Sequence, residues 1–569
     1  MILKALYDYY ERKGDLPRKG MELKEIGFLI VIDKKGSFVR FEDRRIDRNR
    51  AQSFLVKKHV NRTSAPLANY LYDNSAYVLG YSEKGDGEKC FDTFKAKVKS
   101  ILQEYPQNDD IKAIDLFYKN DREALLEIFK QDVLWNEIEK NLNKKFSTFS
   151  FLMEGESTIV ASKTELINTN DDKDSEGGQM CLVSGMRGNI VETTTATMIP
   201  GSQATAKLVS FQVSSGYDSY GKNKGYNAPI SEDAEFAYTT ALNYLLRSVS
   251  QNKFIIGNRT FVFWASKDDE AGKQAEESLW DMLGFKDNDD PDKNIINVRK
   301  AFESIYSGSI KTTLDDRFYI LGLAPNSARI AVTYWADIPL KDFSEMILRH
   351  FKDMEIVDTR KEKKPYFGLH SLLATVSLEG KLSNVSPNLP DAVVKSIFQG
   401  LPYPQTLFAS CIRRIRAEQS ISITRAAILK AYLNRLNDNN NNKLTVMLDT
   451  SNTNQGYLCG RLFAVLDKIQ DDANNQRSIK ERYINSASAT PAAVFSTILN
   501  LSLHHSAKLN EGRSVYFEKI KQEIVDKISA DGFPAHLDLQ DQGRFFVGYY
   551  HQMQWFYTKN GDKEVDNND

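Results

Sequence analysis

Residues 208–246 read LVSFQVSSGYDSYGKNKGYNAPISEDAEFAYTTALNYLL, and the pattern of this stretch decides the fold class. Its start, Leu208-Val209-Ser210-Phe211-Gln212-Val213, has the apolar alternation of a half-buried strand. Its end opens on Ser231, a good N-cap, followed by Glu232 and Asp233 where a helix N-terminus favours negative charge. Tyr238, Ala241, Leu242, Leu245, Leu246 and Val249 then recur at helical spacing. Between the two elements lies a small, polar run holding Gly216, Tyr217, Tyr220, Gly221, Lys222, Lys224, Gly225 and Tyr226. Such a loop has little to pack into a core and much to offer an anionic, stacking ligand.

Working outward, 1–12 predict a short amphipathic helix, and 27–33 with 37–41 a hairpin around the Asp33-Lys34-Lys35-Gly36 turn. Helices are expected over 91–105 and 109–142, then a second hairpin from 147–152 and 157–161. The polar run 168–179 reads as a loop. After the opening stretch, RTFVFWA (259–265) is a strand, and 267–292 is an acidic region around one helix. RFYILGLAPNSARIAVTYW (317–335) is a strand, a Pro-Asn turn and a second strand, with Gly322 allowing close backbone approach. Beyond Lys341 the pattern is helical almost to the end. The expected fold class is therefore α+β: a mixed N-terminal part with antiparallel hairpins, followed by an all-α C-terminal bundle. The expected domains are 1–150, 151–340, 341–436 and 447–569, with the Asn-rich 437–442 as a joint before Met447.

With 569 residues, the chain is too long for one ordinary core. Its 75 Lys+Arg nearly balance 76 Asp+Glu, so it is not uniformly basic, but basic segments stand out. Residues 40–62 hold eight Lys or Arg against three acids. They lead into Arg62-Thr63-Ser64-Ala65-Pro66-Leu67-Ala68-Asn69-Tyr70-Leu71-Tyr72-Asp73-Asn74. Amides, hydroxyls and tyrosines beside cations can hold phosphates and read base edges; the competing reading is a solvated face with Asn69 and Asn74 as turn caps. Residues 405–435 carry six Lys or Arg against one acid, a second basic helical face.

The four cysteines stand far apart without a CxxC pair, which fits a reducing cytoplasm and argues against a zinc ribbon. No apolar run approaches the ~20 residues of a membrane span, and no signal peptide is read at the N-terminus. Gly216 to Lys222 matches GxxxxGK, yet Asn223 stands where a magnesium-binding Ser or Thr is required, and Pro229 delays the helix. The seven histidines include no HExxH, and no constellation of catalytic residues, metal ligands or cofactor contacts is found. The reading is of a non-enzymatic binding protein, against a metal-dependent nuclease, a guide-RNA processing enzyme or a pure scaffold.

The segments MILKALYDYYER, IGFLIVIDKKGSF, VNRTSAPLANYLYDNSAYVLGY, CLVSG, the opening stretch, FYILGLAPNSARIAVTYW and GRFFVGYYHQMQ occur in that order along the chain. Together they resemble the large subunit of the type I-C CRISPR surveillance complex, Cascade. The resemblance implies a subunit that reads a protospacer-adjacent motif in double-stranded DNA and helps open it, while paired guide RNA reads the target. It also implies that the subunit holds the displaced strand, joins the backbone and small subunits, and receives a helicase-nuclease. A separately made small subunit, starting near Met447, is implied as well. On this reading Arg44, Arg45, Arg48 and Lys57 grip phosphates, and Lys58, Arg62, Thr63, Asn69, Tyr70 and Asn74 read or wedge the duplex. Lys207, Ser219, Tyr220, Lys222, Lys224 and Asn227 face the same DNA or the guide, and Arg413, Arg414, Arg416 and Arg425 track the displaced strand.

Overall fold

The structure is a computed structural model that describes residues 1–47, 50–60, 62, 65–82, 87–142, 147–167, 178–213, 216, 218, 220–247, 249–284, 290, 292–360, 367–436, 443–474 and 478–558. The protein is α+β, as its patterning predicts. It divides into two compact units, Met1–Thr197 with Lys207–Ser250, and Met198–Ala206 with Gln251–Asp569.

The first unit begins with α1 (Ile2–Arg12), β1 (Met21–Glu25), β2 (Phe28–Ile32), β3 (Phe38–Asp43), β4 (Ser53–Lys57) and β5 (Tyr72–Asn74). Next come α2 (Ser75–Val78), α3 (Gly87–Glu104), α4 (Asp109–Phe117), α5 (Arg122–Phe129), α6 (Trp135–Asn141) and β6 (Thr148–Met153). It ends with α7 (Thr164–Ile167), β7 (Gln179–Met180), β8 (Arg187–Gly188) and α8 (Glu232–Leu246). Its main sheet has the order β3-β2-β6-β5. The hairpin of β2 and β3 closes at Gly36, whose N–H donates to the Asp33 carbonyl and whose φ of 78° only glycine adopts freely.

Strand β6 does not form the expected second hairpin. Residues 160–162 make a 3₁₀ turn, and β6 pairs in parallel with β2 and antiparallel with β5. Of the two central strands, FLIVI is an unbroken apolar run and TFSFLM is buried from Phe149 to Met153, as expected of strands covered on both faces. Phe94 and Val98 of α3 and Ile114 and Phe117 of α4 pack in this core with Phe151. A separate two-stranded ribbon, β1 with β4, carries the chain into residues 58–74.

The expected strand over 208–213 is absent. Its backbone finds no neighbouring strand; the Val209 carbonyl accepts from the Thr194 side chain instead, at 2.6 Å. The helix that follows is as expected. Ser231 caps α8 by accepting from the Ala234 N–H, and α8 packs against α1.

The second unit starts with β9 (Lys253–Ile256), β10 (Arg259–Ala265), α9 (Glu270–Leu283), α10 (Ile295–Tyr306), β11 (Arg317–Asn326) and β12 (Arg329–Pro339). These four strands form one antiparallel meander, in which the predicted hairpin of β11 and β12 is the longest pairing. A Cβ on Gly322 would meet Tyr334 Cβ and the Phe261 ring at 2.8 Å, so the close approach is real. Helices follow to the end: α11 (Leu340–Met354), α12 (Leu369–Val376), α13 (Leu389–Phe398), α14 (Gln405–Glu418) and α15 (Ile423–Leu436). The last five are α16 (Gln455–Asn474), α17 (Ser478–Ala487), α18 (Pro491–Ser506), α19 (Glu511–Val525) and α20 (Leu539–Tyr557). Helix α16 is buried nearly all round and packs against α17, α18, α19 and α20. Its contact with α20 is backbone-close: a Cβ on Gly460 would sit 1.9 Å from the Phe545 carbonyl oxygen. The Asn-rich joint at 437–442 lies outside the described residues.

Candidate nucleic-acid interface

Among the described residues of 40–62, most arginines carry their own counterions. On a strand, residues two apart share a face. Arg44 therefore meets Glu42 at 2.5 Å, and Arg45 meets both oxygens of Asp43 with its Nε at 2.9 and 3.1 Å. Arg45 also stacks 4.8 Å from the Phe28 ring centroid, and the Asp43 side chain holds its guanidinium charge more firmly than usual. Arg50 pairs with Asp47 at 2.6 Å. Exposed pairs of this kind contribute at most ~1 kcal/mol, so a phosphate can displace the carboxylate at little cost.

The two lysines at the end of β4 point to different neighbours. Lys57 lies 4.0 Å from the Tyr70 ring centroid. Lys58 turns the other way, donating to the Thr195 hydroxyl at 3.1 Å and lying 5.7 Å from the Phe236 ring of α8. The Thr195 N–H in turn donates to Glu235 at 2.5 Å. The structure thus joins the 40–62 segment to the first turn of α8 and to residues 193–195. Among the described residues the Lys58 ammonium meets a hydroxyl and a ring, with no carboxylate.

Arg62 and residues 65–74 are tied together by internal hydrogen bonds. Arg62 pairs with Asp73, donates to the Leu67 carbonyl at 2.7 Å, and lies 4.0 Å from the Tyr77 ring. Burial pushes the Asp73 carboxyl up, opposed by the Asn69 and Asn74 N–H groups and by Arg62. Asn69 is 8% exposed, and its side-chain oxygen accepts from the Val60 N–H at 2.9 Å. Asn74 caps α2 by accepting from the Ala76 N–H. Both asparagines thus have their side-chain oxygens on the backbone, which leaves the NH₂ groups as the donors for a ligand. Beside this loop, burial pushes the Glu22 carboxyl up, but the His59 ring and the Tyr72 hydroxyl outweigh it and leave it below the usual range.

The opening loop folds on its own acid. The Asp218 carboxylate accepts from the Lys224 N–H at 3.3 Å and from Asn227 Nδ2 at 2.9 Å. Lys224 pairs with Glu192 at 3.1 Å. Gly225 passes so close to the neighbouring segment that a Cβ would lie 2.0 Å from the Val191 carbonyl oxygen. Tyr220 is 99% exposed with a φ of 53°. Lys222 is exposed and Lys207 half-buried, and the ammonium group of neither has a hydrogen bond or ion pair among the described residues. Lys207 lines a narrow cleft with Thr193, Thr194, Val209, Phe211 and Gly225. No helix starts at Lys222; residues 224–227 make a 3₁₀ turn, so no triphosphate cradle forms. Cys181 joins the wall of this region, its Sγ accepting from the N–H groups of Val183, Ser184 and Ser231 at 3.3–3.5 Å. Burial opposes but does not cancel these donors, and the thiol falls to about 7. Arg48, Thr63 and Ser219 lie outside the described residues.

In the second unit the expected basic face over 405–435 is not one face. Two helices carry it, and Arg425, Lys430 and Arg435 are buried. Arg425 donates to the Thr375 and Ser420 carbonyls and pairs with Glu418, saturating a helix junction. Arg414 pairs with Glu418, and Arg416, lowered by burial, donates to Gln542. Arg413 remains exposed, bonded only to Ser410 among the described residues.

Among the described residues no cluster of three His, Cys, Asp or Glu could hold a metal ion, and no helix is long and apolar enough to cross a membrane. A family model described as CRISPR-associated protein (Cas_Csd1) matches residues 6–557. A search of curated proteins returned no match. The chain belongs to the Cas_Csd1 family of CRISPR-associated proteins.

Proposed function

From that family membership, we propose that the chain is the non-enzymatic large subunit of a type I-C Cascade, which reads a protospacer-adjacent motif in duplex DNA and helps to open it. Its partners are guide RNA, the target duplex and displaced strand, the other Cascade subunits and a helicase-nuclease, in the cytoplasm. One observation supports the reading most. Lys58, Lys207 and Lys222 lack a carboxylate partner among the described residues, and the Lys58–Thr195 bond ties the first of them to the segment that lines the cleft of Lys207. Unneutralised lysines beside hydroxyls and amide NH₂ groups suit phosphates flanking base edges. Asn69 and Asn74, with one NH₂ donor each to offer, are the readers.

Protein contacts of this kind tip an exchange that is otherwise nearly balanced, since heteroduplex and DNA duplex have similar stability. In the second unit, Arg413 is the arginine of its set best placed for the displaced strand. The packing of α16 against all four following helices supports a C-terminal segment that also folds as the small subunit.

The test assembles the complex with Asn69→Ala or Asn74→Ala and measures binding across motif variants. A reader shows relaxed choice at one motif position, worth ~1–3 kcal/mol. Unchanged discrimination in both variants removes these residues from that role. Cleavage of labelled DNA or repeat RNA by the purified chain with Mg²⁺ or Mn²⁺, abolished by changing one carboxylate, would overturn the non-enzymatic assignment.

A further inference from the structure

His59 follows Lys58 at the exit of β4, and a single carboxylate sets its ring. Glu22 Oε1 accepts from the His59 backbone N–H at 3.2 Å, and Glu22 Oε2 lies 2.8 Å from ring Nδ1. The carboxylate is itself held, because the Tyr72 hydroxyl donates to Oε1 at 2.8 Å. The chain on either side is pinned as well. The Lys58 N–H donates to the Gly20 carbonyl at 2.7 Å, and the Val60 N–H donates to Asn69 Oδ1 at 2.9 Å. Three successive backbone donors are thus taken, and His59 stands between Lys58 and the residue that engages Asn69. Its side chain is still 43% exposed.

An ionised carboxylate only accepts, so the neutral imidazole carries its proton on Nδ1 and keeps a lone pair on Nε2. Among the described residues Nε2 has no hydrogen-bond partner. Its neighbours in the interface, the Lys58 ammonium and the Asn69 NH₂, are donors, and the Asn69 oxygen is already engaged by Val60. We infer that His59 reads an exocyclic base amine, accepting its N–H through Nε2 while Glu22 positions the ring; this rests on the DNA-binding reading above. Every base pair shows one such amine in the major groove, N6 of adenine or N4 of cytosine. Lysine and amide NH₂ groups cannot contact it, since a donor meets a donor. The usual asparagine contact to adenine takes the amine on the side-chain oxygen and gives the NH₂ to N7. Here the oxygen serves the backbone, and His59 supplies the acceptor that the site needs.

The experiment assembles the complex with the parent chain, His59→Ala or His59→Phe, the last keeping a ring without a lone pair. Each binds a set of duplexes in which the exocyclic amine is removed from one motif base pair at a time, purine replacing adenine or pyrimidin-2-one replacing cytosine. At one position the parent is expected to lose ~10-fold in affinity, a loss that neither variant shows. Comparing proteins on the same duplex cancels the weaker base pairing of the analogue, and thermal melting of each variant checks the fold. If parent and variants lose affinity equally at every position, His59 is not a reader, and the DNA-binding reading stands as long as the parent still discriminates among natural motifs. If the parent shows no motif discrimination at all, that reading falls and the role of His59 with it.

Discussion

The Lys58 ammonium donates to the Thr195 hydroxyl at 3.1 Å across 137 residues of sequence. The contact makes one surface of two segments that the chain separates widely. It also leaves a cation next to a hydroxyl rather than a carboxylate, so a phosphate arriving there displaces no acid.

Lys58→Ala should therefore weaken DNA binding equally for every motif variant and flatten the salt slope by about 1. Thr195→Val should have a smaller effect, because it removes the orienting hydroxyl and keeps the charge. Equilibrium binding at several salt concentrations checks both.

Arg62 has a different role, since it neutralises Asp73, whose side chain is 1% exposed. Arg62→Ala leaves a buried carboxylate with only backbone donors, a loss on the order of 3–5 kcal/mol for a fully buried pair and less here, where Arg62 is partly exposed. The Asp73 carboxyl is already raised by burial, so the folded state binds its proton more readily than the unfolded chain does. The charged form is thus the costly one, and acid removes that cost as pH falls through the raised value. The melting deficit of Arg62→Ala should narrow between pH 7 and the carboxylate range, and a deficit constant with pH would show that Asp73 is not its source.

Local pattern made much of this fold legible, because its signals are short-range. The Asp33–Gly36 turn, the Ser231 cap and the β11–β12 hairpin each depend on residues a few positions apart. The parallel pairing of β2 with β6 does not, since their sequences lie on either side of five helices and could equally have made two hairpins. The alternation at 208–213 was no guarantee of a strand either, because a strand needs a neighbour. In the site, the cations were legible and their partners were not. One signal was within reach: Glu42 with Arg44 and Asp43 with Arg45 stand two apart on an extended run, the spacing that puts both on one face. The pairing of Glu22 with His59 was hidden, as the two stand 37 residues apart and only the ribbon of β1 and β4 brings them together.

The second unit should be acid-sensitive. His350 and His551 are fully enclosed, and burial lowers both to about 3 from the usual 6.5. Between those values the unfolded chain binds protons that the folded one refuses, so stability is complete above pH 6.5 and declines as pH falls. Urea midpoints at pH 7.5 and 5 should differ, and His350→Phe should reduce the difference; equal midpoints in the parent would contradict the burial of both rings.

Gly460 tests the closeness of α16 and α20. A side chain there would lie 1.9 Å from the Phe545 carbonyl oxygen, backbone that cannot swing aside. Gly460→Ala should lower stability despite the better helix propensity of alanine, by roughly 1–3 kcal/mol of overpacking. Denaturant unfolding is the measurement.

Glu192 holds Lys224 at 3.1 Å in the opening loop, while Lys222 and Lys207 have no such partner among the described residues. If the loop meets phosphates, this carboxylate is a competitor: it neutralises one of the loop's lysines and adds a like charge next to the incoming anion. Glu192→Gln keeps the size and the hydrogen-bonding oxygen but removes the charge, and the Gly225 N–H still reaches the Glu192 backbone carbonyl, so the loop should hold its shape. DNA affinity should then rise and the salt slope steepen by up to about 1 as Lys224 becomes available. Lys224→Ala in the parent should change little, whereas in the Glu192→Gln background it should cancel the gain. A Glu192→Gln variant that binds no tighter would mean that the loop faces something other than phosphate, and Lys222 and Lys207 would leave the interface with it.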